Sequence, residues 1–164
     1  MKKILFVCHG NICRSPMAEF VMKDLIRRNG LEGSFHIDSA GTTTEERGNP
    51  IHPGTRNKLR EKNIPQGSKY ARPLKPTDYA SFDLIIGMDR ENLYDMKKLF
   101  NDDPEDKVRL LMDYADSGRD IDDPWYTGDF STTYRDILDG CLGLLHEIQQ
   151  EHHHNNTSTS SGGL

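Results

Sequence analysis

The segment Val7-Cys8-His9-Gly10-Asn11-Ile12-Cys13-Arg14-Ser15-Pro16 constrains this chain more than any other part of it. It begins at the end of Ile4-Leu5-Phe6-Val7, an apolar run of β-branched and aromatic residues that reads as a buried strand. Ser15-Pro16 and the periodic apolar pattern behind them read as a helix start. The loop between strand and helix is short, so its consecutive backbone N–H groups turn inward. Together with the positive end of the helix dipole they form a receptor for phosphate or a similar anion. Cys8 stands at the mouth of that receptor and Arg14 follows six residues later. The N–H groups, the helix terminus and the guanidinium all favour thiolate over thiol. The planar fork of Arg14 can hold two phosphate oxygens at once, which lysine cannot do.

Cys8 is therefore the predicted nucleophile, and His9, Gly10, Asn11, Ile12, Cys13, Arg14 and Ser15 are the predicted phosphate-binding loop. Gly10 permits close approach of the backbone. Asn11 tolerates left-handed geometry, and its amide can tie the loop together. Ser15 can donate a hydrogen bond to the Cys8 sulfur and ease its departure as thiolate. An inert core thiol beside a surface arginine would explain a lone Cys and Arg, but not this order of strand, Gly10, Asn11, Ser15 and helix.

With Asp123-Pro124-Trp125-Tyr126 near the other end, these residues resemble the low-molecular-weight protein tyrosine phosphatases. That family's signature is a Cys, five residues and an Arg followed by Ser or Thr, with an Asp-Pro and aromatics near the C-terminus. The likeness runs through Asp38-Ser39-Ala40-Gly41-Thr42, Gly48-Asn49-Pro50, Ala71-Arg72 and Met88-Asp89, covering roughly residues 3 to 150. It implies hydrolysis of phosphotyrosine in proteins through a phosphocysteine, without cofactor or metal. Breaking the ester needs a proton for the leaving oxygen. Within the acidic run Asp120, Asp122, Asp123, the resemblance assigns that role to Asp123, stiffened by Pro124.

The family also ties its loop with an Asn, a loop Ser, a Ser after the second strand and a His. Asn11, Ser15 and Ser39 match, whereas Lys69 stands at the histidine position, cannot accept a hydrogen bond, and is read as a surface lysine. The resemblance implies a reversible Cys8–Cys13 disulfide that protects the thiolate; the residues alone equally allow Cys13 as a small side chain packed under the loop. Trp125 and Tyr126 are the predicted aromatic wall of the substrate pocket. The opposite rim, Glu45, Glu46 and Arg47, is polar where relatives often carry an aromatic near Glu45 and a Leu at His9. His9 is either a proton-bearing ring beside the phosphate or a plain exposed side chain.

Three other functions bear on the same loop. Protein arginine phosphatases of this family place a Thr where Ile12 stands, so Ile12 favours tyrosine. Arsenate reductases use extra cysteines mid-chain, and none lies between Cys13 and Cys141. A cysteine phosphocarrier would share the loop, but Arg14 and Asp123 argue for turnover.

A chain of 164 residues is about one domain. The expectation is a catalytic α/β domain over 1–150: a three-layer sandwich on a four-stranded parallel sheet, flavodoxin-like by resemblance, followed by a disordered polar tail over 151–164. His152, His153 and His154 in that tail read as a tag remnant or solvated segment rather than a metal site. A net charge of -5 argues against nucleic acid as a partner. The apolar run before Cys8 is too short for a secretory signal or a membrane span. Three cysteines fit a reducing compartment, so a cytoplasmic monomer is expected.

Predicted helices run from Ser15 to Arg28, Pro53 to Lys62 and Ser131 to Gln150, with another after Asp89. Asp89 is its expected cap, and Asn92 looks too short to complete a capping box. Strands are predicted over Ser34 to Ser39, Phe82 to Met88 and Lys107 to Met112, besides the first. Cys141 lies in the apolar stripe of the last helix and is read as core.

Overall fold

The computed structural model describes the backbone of residues 1–162, with side chains through Glu151. Four strands, β1 (Lys2–Cys8), β2 (Phe35–Gly41), β3 (Leu84–Gly87) and β4 (Val108–Leu110), form one parallel sheet in the order β2-β1-β3-β4. Side chains alternate across a strand. Ile4, Phe6 and Cys8 accordingly join the larger apolar cluster, beneath α1 (Arg14–Arg28) and the last helix, while Leu5 and Val7 join the smaller one with Met96 and Phe100. Both faces of β1 are covered, giving the three layers expected from the alternation of strands and helices. Burying side chains such as Phe6 or Ile4 stabilises the fold by about 1.5–3 kcal/mol each.

The remaining helices are α2 (Pro53–Glu61), α3 (Asp78–Ser81), α4 (Arg90–Leu99), α5 (Pro124–Thr127) and α6 (Phe130–Gly162). Chain connections leave β1 toward β2 on one side and, later, toward β3 on the other. The carboxyl end of β1 is therefore the topological switch point, where open α/β sheets bind ligands. Cys8 is the last residue of that strand. Gly41 pairs with it across the sheet, and a Cβ at Gly41 would lie 2.9 Å from the His9 carbonyl oxygen, so only glycine lets the loop fold back this closely.

Several expected boundaries move. The fourth strand covers only Val108–Leu110, because Leu111 and Met112 turn into a 3₁₀ segment (Leu111–Ala115) that packs under α6. Strand β3 is Leu84–Gly87 rather than Phe82 to Met88, and β2 extends to Gly41. Asn92 does complete a capping box with Asp89: its side-chain oxygen accepts from Asp89 N at 3.2 Å while the Asp89 carboxylate accepts from Asn92 N at 2.8 Å. Its shorter reach suffices because the same oxygen also takes the Met88 N–H at 3.0 Å. Helix α6 begins at Phe130 and its backbone continues to Gly162, past the predicted end at Gln150 and through most of the segment expected to be a tail. The side chains of His152, His153 and His154, and residues 163–164, lie outside the described residues.

Candidate active site

The loop after Cys8 carries a residue that few side chains could replace. Asn11 is buried with φ 61°, in the left-handed region that asparagine tolerates. Its amide makes three bonds: Nδ2 donates to Ser15 Oγ at 2.8 Å and to Ser39 Oγ at 3.0 Å, and Oδ1 accepts from Arg72 N at 3.0 Å. Ser15 Oγ in turn lies 3.0 Å from Cys8 Sγ. Asn11 engages one lone pair of the Ser15 hydroxyl, whose proton can turn to the Cys8 sulfur or, over a longer 3.4 Å, to the Ala40 carbonyl. Among the described residues, the backbone N–H groups of residues 9–15 donate no hydrogen bond. Cys13, at the N-cap of α1, has no capping side-chain bond, and the first turn holds no acidic residue. The positive end of α1 therefore opens into the loop.

Arg14 is the first residue of α1 and is buried. Nη1 spends both hydrogens, one on Asp89 Oδ2 at 2.7 Å and one on the Ile121 carbonyl at 2.8 Å. What remains is the Nε and Nη2 edge, a two-pronged donor for an anion. Burial works against the charge of this guanidinium, but the Cys8 sulfur, Asp89 and Asp123 outweigh it and raise its proton affinity. Asp123 caps α5: one carboxylate oxygen accepts from Trp125 N at 3.1 Å, and the other lies 3.6 Å from Arg14 Nη2. Asp123 is thus the capping residue of a short helix and a wall of the pocket at once.

The cavity that results, about 110 Å³, is lined by Cys8, His9, Gly10, Ile12, Cys13 and Arg14 below, by Glu45 and Glu46 on one side and by Asp123, Trp125 and Tyr126 on the other. Of the residues singled out from sequence, Cys8, His9, Gly10, Ile12, Cys13, Arg14, Glu45, Asp123, Trp125 and Tyr126 meet here, whereas Asn11 and Ser15 do not line the cavity and lie buried behind the loop. Cys13 is buried, and burial, followed by the charges of Cys8 and Asp123, pushes its thiol up to about 12. His9 joins the rim: its Nε2 lies 3.1 Å from Glu45 Oε2, with both side chains largely open to solvent.

Lys69 is not a surface lysine. Its Nζ donates to Ser39 O and to Asp38 Oδ1, both at 2.8 Å, and sits 3.4 Å from Glu19 Oε1. The acceptor that lysine cannot supply is Glu19, which takes the Ser39 hydroxyl at 2.6 Å and Lys23 Nζ at 2.7 Å. Burial opposes ionisation of Asp38, but the Lys69 hydrogen bond and charge, then Ser39 N–H and Arg72, hold its carboxyl below the usual carboxylate range. Glu19 went unnoticed in the sequence. Its signal was a carboxylate one turn beyond Ser15, on the buried face that also carries Ala18 and Met22. The local sequence marks Asp89 as a cap, and its partnership with Arg14 across the sheet has no local signal. Among the described residues no group of three His, Cys, Asp or Glu is placed to hold a metal ion, and no helix is long and apolar enough to cross a membrane.

A sequence model described as low molecular weight phosphotyrosine protein phosphatase matches residues 3–154. The chain is 41% identical over 153 residues to low molecular weight protein-tyrosine-phosphatase YfkJ of Bacillus subtilis, covering 92% of this chain and 98% of that one. The YfkJ crystal structure superposes with a TM-score of 0.89 over 92% of this chain and 96% of that one. The human low molecular weight phosphotyrosine protein phosphatase is 36% identical over 151 residues, 89% of this chain and 95% of its own. A Drosophila arginine phosphatase structure superposes with a TM-score of 0.83 at 29% identity, over 90% of this chain and 98% of that one. The chain belongs to the low molecular weight phosphotyrosine protein phosphatase family.

Proposed function

We propose that the protein hydrolyses phosphotyrosine in proteins through a phosphocysteine on Cys8. The observation that carries this reading is the arrangement around Cys8 Sγ: Ser15 Oγ at 3.0 Å, a ring of undonated N–H groups, the free edge of Arg14, and Asp123 across the cavity at 3.6 Å from that edge. The phosphoryl group sits in the loop with its equatorial oxygens on the N–H groups and Arg14. The sulfur lone pair attacks phosphorus, the P–O bond to tyrosine breaks, and the leaving oxygen takes the proton of Asp123. In the second step the Asp123 carboxylate removes a proton from water, whose oxygen attacks phosphorus. The S–P bond then breaks and its electron pair stays on sulfur as a thiolate, which accepts a hydrogen bond from the Ser15 hydroxyl. Asp89 and the Ile121 carbonyl aim Arg14, and Asn11, Ser39, Glu19 and Lys69 hold the loop in shape.

Trp125 and Tyr126 flank the phenol ring, and Glu45 with His9 forms the polar rim beyond it. Cys13 serves as the partner of Cys8 in a reversible disulfide under oxidation. The three cysteines, all free and buried, suit the reducing cytoplasm. Residues 1–150 form the catalytic domain and 151–164 an appended polar segment.

A second reading, phosphoarginine as substrate, is favoured by the likeness to the Drosophila arginine phosphatase. Ile12 in the pocket lining weighs against it, since an apolar side chain offers no hydrogen bond to a guanidinium.

Rapid quenching with radiolabelled phosphotyrosine peptide tests the intermediate. Acid-trapped label should appear on the wild-type chain within the first turnover and be absent from Cys8→Ser. Turnover with no label on Cys8 under conditions where hydrolysis of the intermediate is slow would point to direct attack by water and overturn the mechanism.

A further inference from the structure

His52 has no place in the reaction as described, yet three parts of the site meet on it. Its backbone N–H donates to the Ile12 carbonyl of the phosphate loop at 2.9 Å. Its side chain is the N-cap of α2, with Nδ1 accepting from Gly54 N at 2.9 Å. Its ring stacks on Phe130, the first residue of α6, at 5.2 Å between centroids and 23° between planes, and meets the indole of Trp125 edge to face at 5.6 Å and 79°. Gly54 makes the stack possible, because a Cβ there would fall 2.3 Å from the Phe130 ring.

The chemistry of the ring fixes its orientation. Because Nδ1 accepts from Gly54, the neutral ring carries its proton on Nε2, and rotation about the side chain would cost the cap. Phe130 covers one face. The ring is thereby clamped by a hydrogen bond and a stack, and it offers a fixed surface to Trp125. Trp125 otherwise belongs to a four-residue helix and is 56% exposed, with its backbone N–H tied to the Asp123 cap.

We propose that His52 is a positioning residue that holds Trp125 as one wall of the substrate pocket, and so sets the fit of the substrate's aromatic ring. This rests on the reading of Trp125 as that wall. The anchor is the same residue that grips the phosphate loop through Ile12, so the distance from phosphate to ring wall is set by one rigid unit. The ligand chemistry concerned is an aryl phosphate whose ring lies against an indole.

Two substitutions separate the cap from the ring. His52→Asn keeps a strong N-cap and removes the aromatic surface, whereas His52→Phe keeps the surface and removes the cap. Trp125 is the single tryptophan of the chain, so intrinsic emission reports on the wall directly. The expected result for His52→Asn is a KM for phosphotyrosine peptide raised roughly threefold to tenfold, the range of a lost aromatic pair, with kcat nearly unchanged. Acrylamide should quench its emission more readily, while competitive inhibition by inorganic phosphate stays as in wild type. His52→Phe, which keeps the stack but not the cap bond, should bring KM and quenching back toward wild type while lowering the melting temperature.

Unchanged KM and emission in His52→Asn would overturn the proposal. So would an equal loss of phosphate inhibition, since the effect would then run through the loop as a whole. If the wild type failed to turn over phosphotyrosine, the functional reading would fall, and the emission of the two variants would still decide whether His52 holds Trp125.

Discussion

Asn11, Arg14, Ser15 and Ser39 are each exposed by 2% or less, whereas Trp125 is 56% and Tyr126 83% exposed, although all of them belong to one site. The buried group is saturated with partners: Asn11 has three, Arg14 binds Asp89 and Ile121, and Ser39 is held between Asn11 and Glu19. The exposed group has few. Glu45 meets His9 in a solvent-exposed contact at 3.1 Å, and Trp125 leans on His52. The contrast separates two tasks. Holding a dianionic phosphoryl group at a thiolate requires donors that do not reorganise as charge moves, which burial and full hydrogen bonding supply. Selecting among phosphoproteins requires surface that a partner can reach, and such surface tolerates change.

If that division is right, substitutions in the cradle act on the chemical step and substitutions on the rim act weakly on binding. Arg14→Lys should lower kcat/KM for a phosphotyrosine peptide by roughly 10²–10³-fold, because an ammonium offers no fork and cannot satisfy Asp89, Ile121 and phosphate together. A loss below tenfold would remove the bidentate edge from the account. Asp123→Asn should lower kcat/KM, which reports only the steps up to the phosphocysteine, by roughly 10²-fold or more with a phenol leaving group. The cost should be clearly smaller with p-nitrophenol, which departs without a proton. An equal loss with both would indicate a role in shape rather than in proton transfer.

Asn11→Ala should lower kcat about tenfold and destabilise the fold by ~2–4 kcal/mol in urea titration, as it strands buried partners and puts alanine at positive φ. Retention of both activity and stability would mean that the loop holds itself. Glu45→Gln, at the other extreme, should change KM by less than about threefold, an exposed pair contributing at most ~1 kcal/mol, and should leave kcat alone. A large kcat effect there would break the division between cradle and rim.

The same contrast governs what could be read from the chain. Cys8, the loop, Arg14 and the helix start lie within one continuous stretch, where strand, glycine, asparagine and Ser-Pro each carry a local physical meaning, and Asp123 was marked by its proline. The sheet followed from the spacing of apolar runs. The supports of the site were less accessible because they are tertiary. Arg14 donates to Asp89 across 75 positions and to the Ile121 carbonyl across 107, with nothing in the composition of either to announce it. Lys69 looked like a surface lysine because its chemistry excludes the accepting role; the fold supplies that acceptor as Glu19 and turns the lysine into a donor for Ser39 O and Asp38. Asn92 closed its capping box despite a short side chain, a matter of local geometry that residue type alone understates.

The most direct measurement is phosphate release from matched phosphotyrosine and phosphoarginine peptides by the wild type and by Cys8→Ser, under reducing conditions and without added metal. The account predicts that the wild type prefers phosphotyrosine and that Cys8→Ser loses activity by roughly 10⁴-fold or more, as removal of a nucleophile does. Preference for phosphoarginine would contradict the substrate assignment and the weight placed on Ile12. Retained turnover in Cys8→Ser would contradict the central claim that this sulfur carries the phosphoryl group.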